Sequence, residues 1–334
     1  MLPLQTIQKS MEDNRLILRL YSEYINYHPR FLTAEMVNSL AEECHVDHHT
    51  AFCTLFSAAC GLDTVENRYH RALEKQYILA GLCRLDPTLY KNDAYAKNVR
   101  IPEQTIGKWK LCTHSYAPYE VFVRTHPVLT KELREIPQLG YFDTEFTFPA
   151  VLENGIEWMT VTPNEIETMR QPIAESKGKV LTLGLGLGYF AFHASQKSNV
   201  THLTVIERDP AVIELFKEHI LPQFPNQDKI QIICSDAFAY MESKFKNEKF
   251  DFVFCDLWHD PSDGLDLYLR LKRYEKESPA TCFSYWIEPS LLSLLRGMVF
   301  DKLTDTHAPV QLRGISPEEL LSDAFLRTLD LKKI

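Results

Sequence analysis

A glycine-rich segment lies at residues 180–191 and reads Val-Leu-Thr-Leu-Gly-Leu-Gly-Leu-Gly-Tyr-Phe-Ala. A short apolar run ends in three alternating glycines, Gly184, Gly186 and Gly188, and a helical pattern follows. This order predicts a buried strand, a tight turn and the start of a helix. Such a turn leaves backbone N–H groups unpaired at a helix N-terminus, where a ligand can approach bare backbone.

The spacing of the three glycines separates two classes of nucleotide site. The dinucleotide fingerprint G-x-G-x-x-G would need a glycine at position 189, where this chain has Tyr189. The observed G-x-G-x-G resembles the first motif of class I S-adenosylmethionine (SAM) methyltransferases. That resemblance implies an α/β fold with a doubly wound, Rossmann-like sheet of order 3-2-1-4-5. It also implies SAM as cofactor, held against Gly184, Gly186 and Gly188. A tight turn without a ligand is the alternative.

Two strand ends downstream of the glycines carry candidate cofactor ligands. The predicted strand His202–Ile206 stops at Glu207, about 20 residues past the glycines, where a carboxylate can accept both ribose hydroxyls. The alternative is that Glu207 only favours the next helix N-terminus through its charge. The third predicted strand, Ile230–Ile233, runs towards Asp236 and Ala237. The resemblance implies that Asp236 contacts the adenine amino group and the Ala237 backbone contacts the ring, although Asp236 could instead cap a helix.

Candidate catalytic groups follow the fourth and fifth predicted strands. The strand Phe250–Cys255 ends at Asp256, at the carboxyl edge where open α/β sheets bind ligands. Asp256 is therefore placed to orient an acceptor and to take up its proton. His259 is an alternative base because an ordinary histidine titrates near neutral pH. Glu288, which ends the fifth strand Thr281–Ile287, is a further candidate, and a helix-start carboxylate before a proline explains it equally well.

A hairpin is predicted upstream of the glycine segment. Strand patterns at Phe146–Glu153 and Ile156–Thr162 flank Asn154-Gly155, a strong signal for a two-residue hairpin turn. The stretch LENGIEW, followed by PNE and ETM, is similar to the hairpin and helix that precede the nucleotide loop in spermidine synthases. In that family the hairpin reaches over the cofactor, which implies that Trp158 or Thr160 lines the pocket. Core packing is the alternative for Trp158.

The chain differs from both families at positions that bear on function. Thr182 stands where many methyltransferases carry an acid, and Leu187 where spermidine synthases carry the aspartate that handles the aminopropyl amine. The latter family also has an Asp-Ser-x-Asp-Pro-type segment, which Asp256, Asp260 and Pro261 match in part. The leading interpretation is a SAM-dependent methyltransferase whose unidentified acceptor is a small molecule rather than nucleic acid. The alternatives are a spermidine synthase-like aminopropyltransferase, which uses decarboxylated SAM, or a non-catalytic SAM-binding protein.

The length of 334 residues allows more than one domain. The patterns predict a helical N-terminal domain at 1–105, a small β-hairpin region at 106–170 and a Rossmann-like SAM-binding domain at 171–334. The last of these has a helical C-terminal end. Because the pattern after the fifth strand is helical, the usual antiparallel finishing hairpin is missing and the sheet is expected to be truncated at that edge.

Composition excludes several classes of partner. Lysine and arginine number 36 against 45 acidic residues, for a net charge of −9, which argues against broad nucleic-acid binding. The chain has no apolar run of membrane-spanning length and no signal-peptide core at its N-terminus. Its eight cysteines show no zinc spacing and are typical of reduced, cytosolic thiols. We therefore expect a cytoplasmic protein without a membrane span, and the oligomeric state stays open.

A histidine cluster near the N-terminus draws attention as a possible metal site. It contains His45, His48 and His49. Neighbouring helical positions point about 100° apart, so His48 and His49 do not easily face one metal ion. Asp47, between them and His45, fits a helix N-cap. No metal site is predicted.

Overall fold

The computed structural model describes residues 2–304 and 315–329. Its helices, in chain order, are α1 (Leu4–Tyr27), α2 (Ala34–Cys44), α3 (His48–Ala59), α4 (Arg68–Leu73), α5 (Leu79–Gly81), α6 (Pro87–Lys91), α7 (Ala94–Asn98), α8 (Pro163–Glu175), α9 (Tyr189–Gln196), α10 (Pro210–Leu215), α11 (Ala237–Ser243), α12 (Pro261–Glu277), α13 (Glu288–Thr304), α14 (Pro317–Leu320) and α15 (Asp323–Leu326). Its strands are β1 (Leu82–Arg84), β2 (Gln104–Ile106), β3 (Trp109–Tyr116), β4 (Phe122–Leu129), β5 (Glu135–Tyr141), β6 (Phe146–Glu153), β7 (Ile156–Thr160), β8 (Gly178–Leu183), β9 (Val200–Glu207), β10 (Ile230–Cys234), β11 (Phe252–Cys255) and β12 (Cys282–Tyr285). Short π-helical segments, Glu74–Ile78 and Phe216–Ile220, continue α4 and α10. Short 3-10 turns lie at Leu221–Gln223, Gln227–Lys229 and Phe245–Asn247.

The described residues form two compact units that interleave along the chain. Unit 1 takes its residues from Met1–Pro87, Ser115–Phe146 and Leu295–Thr328, and unit 2 from Thr88–His114, Thr147–Leu294 and Leu329–Ile334. The sequence predicts three consecutive domains instead, with boundaries after residues 105 and 170. The two divisions differ because β1 pairs in parallel with β5, and β5 pairs with β4. This pairing joins a segment from the middle of the chain to the N-terminal helices.

Unit 1 combines the N-terminal helices with a three-stranded sheet of order β1-β5-β4. Apolar side chains at helical spacing on α1, α2 and α3, such as Ile17, Val37 and Phe52, are completely buried in one core. Asp47 caps α3, as the sequence predicts, because its Oδ1 accepts the N–H groups of His49 and Thr50 at 2.9 and 3.1 Å. Across the described part of the chain, no group of three His, Cys, Asp or Glu side chains could hold a metal ion.

Unit 2 is built on a five-stranded sheet of order β10-β9-β8-β11-β12, and every pair of neighbours is parallel. Counted from β8, this is the order 3-2-1-4-5 that the resemblance to class I methyltransferases implies. Val180, Leu181 and Leu183 of the central strand β8 are fully buried, as expected for a strand covered on both faces. Within residues 2–304 and 315–329 no strand follows β12, and the chain continues as α13. The predicted truncation of the sheet is confirmed for these residues.

A second sheet, of order β2-β3-β6-β7, precedes the parallel one in the chain. The hairpin β6–β7 turns at Asn154 and Gly155, whose φ angles are 51° and 82°. These positive angles are the ones that a two-residue turn between antiparallel strands requires, so the predicted hairpin is confirmed. Across the described residues, none of the helices combines the length and the apolar character that a membrane-spanning helix needs.

Candidate functional site

The glycine segment forms a sharp turn between β8 and α9 at the carboxyl edge of the parallel sheet. Gly184, Gly186 and Gly188 have φ angles of 102°, 51° and 73°, which other residues rarely adopt. A Cβ at Gly184 would also overlap the backbone carbonyl oxygen of Asp256, and one at Gly188 would overlap the Phe216 ring. Backbone conformation and close neighbours therefore demand glycine here whether or not a ligand binds.

Met159, on β7 of the hairpin, covers the middle of this turn. The N–H of Leu187 points at the Met159 sulfur, Sδ, at a distance of 3.2 Å. A Cβ at Gly186 would overlap the same sulfur atom. The hairpin thus reaches over the glycine turn, as the similarity to spermidine synthases implies.

The two hairpin residues predicted to line the cofactor pocket differ in position. Thr160 does line the pocket beside the glycine turn. Trp158 points elsewhere and is 38% exposed, so it is not a core residue either. Its ring packs edge-on against His259, with centroids 4.0 Å apart, and against Trp109 at 5.7 Å.

The pocket itself is small and acidic. Its volume is about 10 Å³, which is room for about one water molecule. The glycine turn, the hairpin and α8 line it, and two carboxyl groups, those of Glu165 and Asp256, face it. The described residues that line it include no lysine, arginine or histidine. An acidic pocket without a cation favours a positively charged occupant.

Among the described residues, no cation and no hydrogen-bond donor pairs with the side chain of Glu165 or of Asp256. Glu165 is only 9% exposed and Asp256 is half-buried. Desolvation raises the pKa of Asp256 to about 7. Desolvation and the charge of Asp256 together raise the pKa of Glu165 well above its usual range. Two such carboxyls share at least one proton near neutral pH, because both cannot easily ionise in the same poorly solvated space.

Sequence reasoning finds Asp256 but misses Glu165. Asp256 follows a predicted strand, and its place at the sheet edge can be inferred from parallel topology. Glu165 lies in the first turn of α8, where an acid is ordinarily explained by the helix dipole. The sequence gives only an indirect indication of Glu165. Because Thr182 and Leu187 leave the glycine segment without the acids that the two similar families carry there, a carboxylate is expected from another element.

Glu207 lies at the end of β9, beside the glycine turn. Its Oε1 accepts the N–H of Asp209 at 2.9 Å. Desolvation raises the pKa of Glu207, and the backbone N–H groups of Asp209, Arg208 and Leu185 oppose that rise. Since Leu185 belongs to the turn, this carboxylate lies at the turn's edge. The side chain of Asp209, not of Glu207, caps α10 by accepting the N–H of Ala211 at 2.9 Å. The ribose role of Glu207 stays a prediction.

Asp236 and Ala237 follow the next strand along the sheet, β10. Asp236 caps α11, with its Oδ1 accepting the N–H of Ala239 at 2.9 Å. Ala237 is the first residue of that helix and is buried. The capping interpretation of Asp236 is therefore satisfied, and the adenine contacts of both residues stay predictions.

His259 and Glu288, the other candidate bases, do not line the acidic pocket. His259 packs on Trp158, and its Nδ1 lies 3.5 Å from a carboxylate oxygen of Asp263. Glu288 begins α13, and its Oε1 accepts the hydroxyl of Tyr268 at 2.8 Å. Of the three predicted catalytic residues, only Asp256 shares the pocket with the glycine turn.

Comparison with known proteins gives a family match over one third of the chain. Residues 165–271 match the model of the spermine/spermidine synthase domain. Over these residues the chain is similar to spermidine synthases. The match begins at α8 and covers the glycine turn, Glu207, Asp236 and Asp256.

Two curated relatives carry the name polyamine aminopropyltransferase. The protein from Leptospira interrogans is 33% identical over 90 residues, which cover 25% of this chain and 18% of the relative. Polyamine aminopropyltransferase 2 from Hyperthermus butylicus is 30% identical over 89 residues, which cover 26% and 28%. The similarity thus spans less than a third of either relative.

Solved structures with a partial likeness include both enzyme classes. Spermidine synthase from Thermotoga maritima is 20% identical with a TM-score of 0.32, covering 41% of this chain and 49% of that chain. A putative SAM-dependent methyltransferase from Streptococcus mutans is 18% identical with a TM-score of 0.31, covering 41% and 36%.

Proposed function

We propose that this chain is an aminopropyltransferase, which moves the aminopropyl group of decarboxylated SAM to an amine of a small-molecule acceptor. The observation that carries this proposal is the acidic pocket beside the glycine turn. Glu165 and Asp256 face it, and the described residues that line it supply no cation. The match of residues 165–271 to the spermine/spermidine synthase domain supports the same choice.

The charge of the pocket favours the decarboxylated donor over SAM. SAM carries an α-carboxylate next to its amine, whereas decarboxylated SAM carries only the ammonium group and the sulfonium. Two like charges about 4 Å apart repel by about 4 kcal/mol at an effective dielectric constant of 20. The SAM carboxylate would meet such repulsion from Glu165 and Asp256, while the ammonium group would be attracted.

The reaction needs one base and close alignment. The nitrogen lone pair of the acceptor attacks the carbon next to the sulfonium, and a C–N bond forms. The C–S bond breaks, its electron pair goes to sulfur, and 5′-methylthioadenosine leaves. The acceptor ammonium must first lose a proton, and in this proposal Asp256 takes it. With a pKa raised to about 7, Asp256 holds that proton far better than an ordinary aspartate does.

Methyl transfer from SAM is the second candidate. Leu187 favours it, because spermidine synthases carry at this position the aspartate that handles the aminopropyl amine. A methyltransferase with this glycine turn would need no acid there. Under this alternative, Asp256 takes the acceptor's proton in the same way, and the product of the donor is S-adenosylhomocysteine.

Product analysis separates the two reactions. The protein is incubated with decarboxylated SAM or with SAM, each with a panel of diamines such as putrescine and 1,3-diaminopropane, and the nucleoside product is identified by mass spectrometry. We expect 5′-methylthioadenosine and an aminopropylated amine from decarboxylated SAM. S-Adenosylhomocysteine formed from SAM, with no methylthioadenosine, would favour the methyltransferase instead. Binding of either nucleoside without turnover would favour a non-catalytic protein.

Two matched variants test the role of Asp256 in this assay. Asp256→Asn keeps the shape of the side chain but removes its basicity, so turnover should fall about 100-fold or more while the affinity for 5′-methylthioadenosine, which has no amine chain, changes little. Asp260→Asn is the control: Asp260 caps α12, its Oδ1 accepting the N–H of Ser262 at 2.6 Å, and asparagine caps about as well. Equal turnover in both variants would remove Asp256 from the mechanism.

A further inference from the structure

Glu165 has a position that the proposed reaction leaves unexplained. It is 9% exposed, it faces the acidic pocket, and within the described part of the chain its carboxyl group makes no hydrogen bond or ion pair. A buried carboxyl without a partner costs folding free energy, because its solvation by water is lost and nothing replaces it. Such a group is explained most simply by a ligand that supplies the missing partner.

The glycine turn lacks the acid that would otherwise meet the donor's amine. Thr182 and Leu187 stand at the positions where methyltransferases and spermidine synthases, respectively, carry an acid. Both residues line the same pocket as Glu165. Helix α8, which carries Glu165, packs on α9 at the end of the turn. Glu165 therefore brings a carboxyl group into the space that Thr182 and Leu187 leave without charge.

We propose that Glu165 binds the ammonium group of the sulfonium donor and so replaces the carboxylate that the glycine turn lacks. This role rests on the proposed function only in requiring a donor with an adenosyl sulfonium and an aliphatic amine. Asp256 is then left to serve the acceptor. Decarboxylated SAM carries two positive charges, on nitrogen and on sulfur, and Glu165 matches the one on nitrogen.

If Glu165 binds the ammonium group of the donor, binding should release a proton that can be measured. Among the described residues that line the pocket, the titratable group besides Glu165 and Asp256 is Tyr189, whose pKa is raised by burial and whose hydroxyl donates to Asp93. Tyr189 therefore stays neutral, and the two carboxyls alone hold the exchangeable proton. An ammonium group that binds Glu165 favours the ionised form of this carboxyl, so binding of the donor releases a proton.

The test compares two ligands that differ in the amine. Decarboxylated SAM has the aminopropyl chain, whereas 5′-methylthioadenosine has the same adenosine and sulfur without it. Glu165→Gln removes the charge and should lower the affinity for decarboxylated SAM by about 10- to 100-fold, the range for a hydrogen bond to a charged group. Binding of 5′-methylthioadenosine should change by less than about twofold, since it makes no contact that the proposal assigns to Glu165.

Calorimetry in buffers of different ionisation enthalpy measures affinity and proton release together. We expect proton release with decarboxylated SAM, none with 5′-methylthioadenosine, and none with either ligand in Glu165→Gln. Glu167→Gln is the matched control on the same helix: Glu167 pairs with Arg170 at 3.0 Å and accepts the hydroxyl of Tyr90 at 3.2 Å. It should bind both ligands as the wild type does.

Each adverse result has a distinct meaning. Equal weakening of both ligands in Glu165→Gln would show a structural role and overturn the proposal, as would unchanged affinity for decarboxylated SAM. If Glu165→Gln does not fold, wild-type protein that binds decarboxylated SAM without releasing a proton overturns it as well. Transfer activity that persists in Glu165→Gln with an unchanged donor KM would overturn the proposal and leave the proposed function intact. Wild-type protein that binds neither ligand would overturn both.

Discussion

Asp256 and Glu165 are acids whose ordinary pKa values lie near 4, and neither has a cation in its pocket among the described residues. The folded protein therefore holds these carboxyls in their protonated form at pH values where the unfolded chain has lost the protons. The contribution of Asp256 to stability is fully present below about pH 4 and is lost as the pH rises through about 7; the contribution of Glu165 is likewise lost as the pH rises. At neutral pH the binding site thus costs the fold some of its stability.

Asp256→Asn should remove this cost at high pH. We expect its free energy of unfolding at pH 8 to exceed that of the wild type by on the order of 2 kcal/mol, after allowance for the partial exposure of Asp256. At pH 4 the two proteins should differ by less than about 0.5 kcal/mol, because the wild-type carboxyl is then protonated in the folded state and about half protonated in the unfolded chain. Urea unfolding between pH 4 and pH 8 measures the difference. A gain of the same size at both pH values would contradict the titration argument.

A site residue can be predicted from sequence when its neighbours in the chain show where its side chain lies in the fold. Gly184, Glu207 and Asp256 could be found from sequence, because each follows an apolar strand and parallel strands align their ends at one edge. Glu165 could not, because only tertiary packing shows that the first turn of α8 faces a pocket. The exposure of Trp158 was also missed, since periodicity in a short strand does not reveal which face is covered.

The hairpin β6–β7 is the element that controls access to the glycine turn. Its residue Met159 accepts the Leu187 N–H through a thioether sulfur, a weak acceptor that a ligand can displace. With Met159 in place, the pocket of about 10 Å³ is too small for an aminopropyl chain. Under the proposed function, a ligand can enter only if the Met159 side chain moves away from the turn, and the cost of that movement would lower the apparent affinity.

Met159→Ala should make ligand binding easier. Removal of the thioether opens the pocket, so we expect 5′-methylthioadenosine to associate at least about threefold faster. Stopped-flow measurement of tryptophan fluorescence follows the association. Ile156→Ala is the control on the same strand. Because Ile156 is exposed, this variant should bind 5′-methylthioadenosine as the wild type does. Slower association in Met159→Ala would indicate that Met159 supports the bound state instead of blocking it.

At the level of the whole molecule, unit 1 draws on three separate segments of the chain, and Arg296 connects two of them, Ser115–Phe146 and Leu295–Thr328. Its side chain is 2% exposed, forms ion pairs with Glu135 and Asp323, and donates from Nε to the carbonyl oxygen of Leu321 at 2.7 Å. Sequence patterns alone predict consecutive domains, because they do not reveal the parallel pairing of β1 with β5, which joins residues that are distant in the chain. Local periodicity carries no information about such pairing.

Arg296→Met should therefore destabilise unit 1 in particular. Removal of the buried cation from between two carboxylates typically costs about 3–5 kcal/mol. Hydrogen exchange should accelerate in β4 and β5 while β8 and β11 of unit 2 keep their protection. The double variant Arg296→Met with Glu135→Gln should recover part of the loss. Uniform acceleration in both units would show that Arg296 does not act on unit 1 alone.

The interleaved chain also sets an order of events during protein synthesis. The first segment of unit 1 ends at Pro87, yet the segment that contributes Arg296 begins at Leu295. The ribosome must add roughly 200 residues between them, which takes on the order of 10–40 seconds at usual elongation rates. During that time the nascent N-terminal helices lack part of their final core, and their apolar faces are open to chaperones or to other nascent chains. The cell therefore meets unit 1 as an incomplete unit until Leu295 and the residues after it have been added.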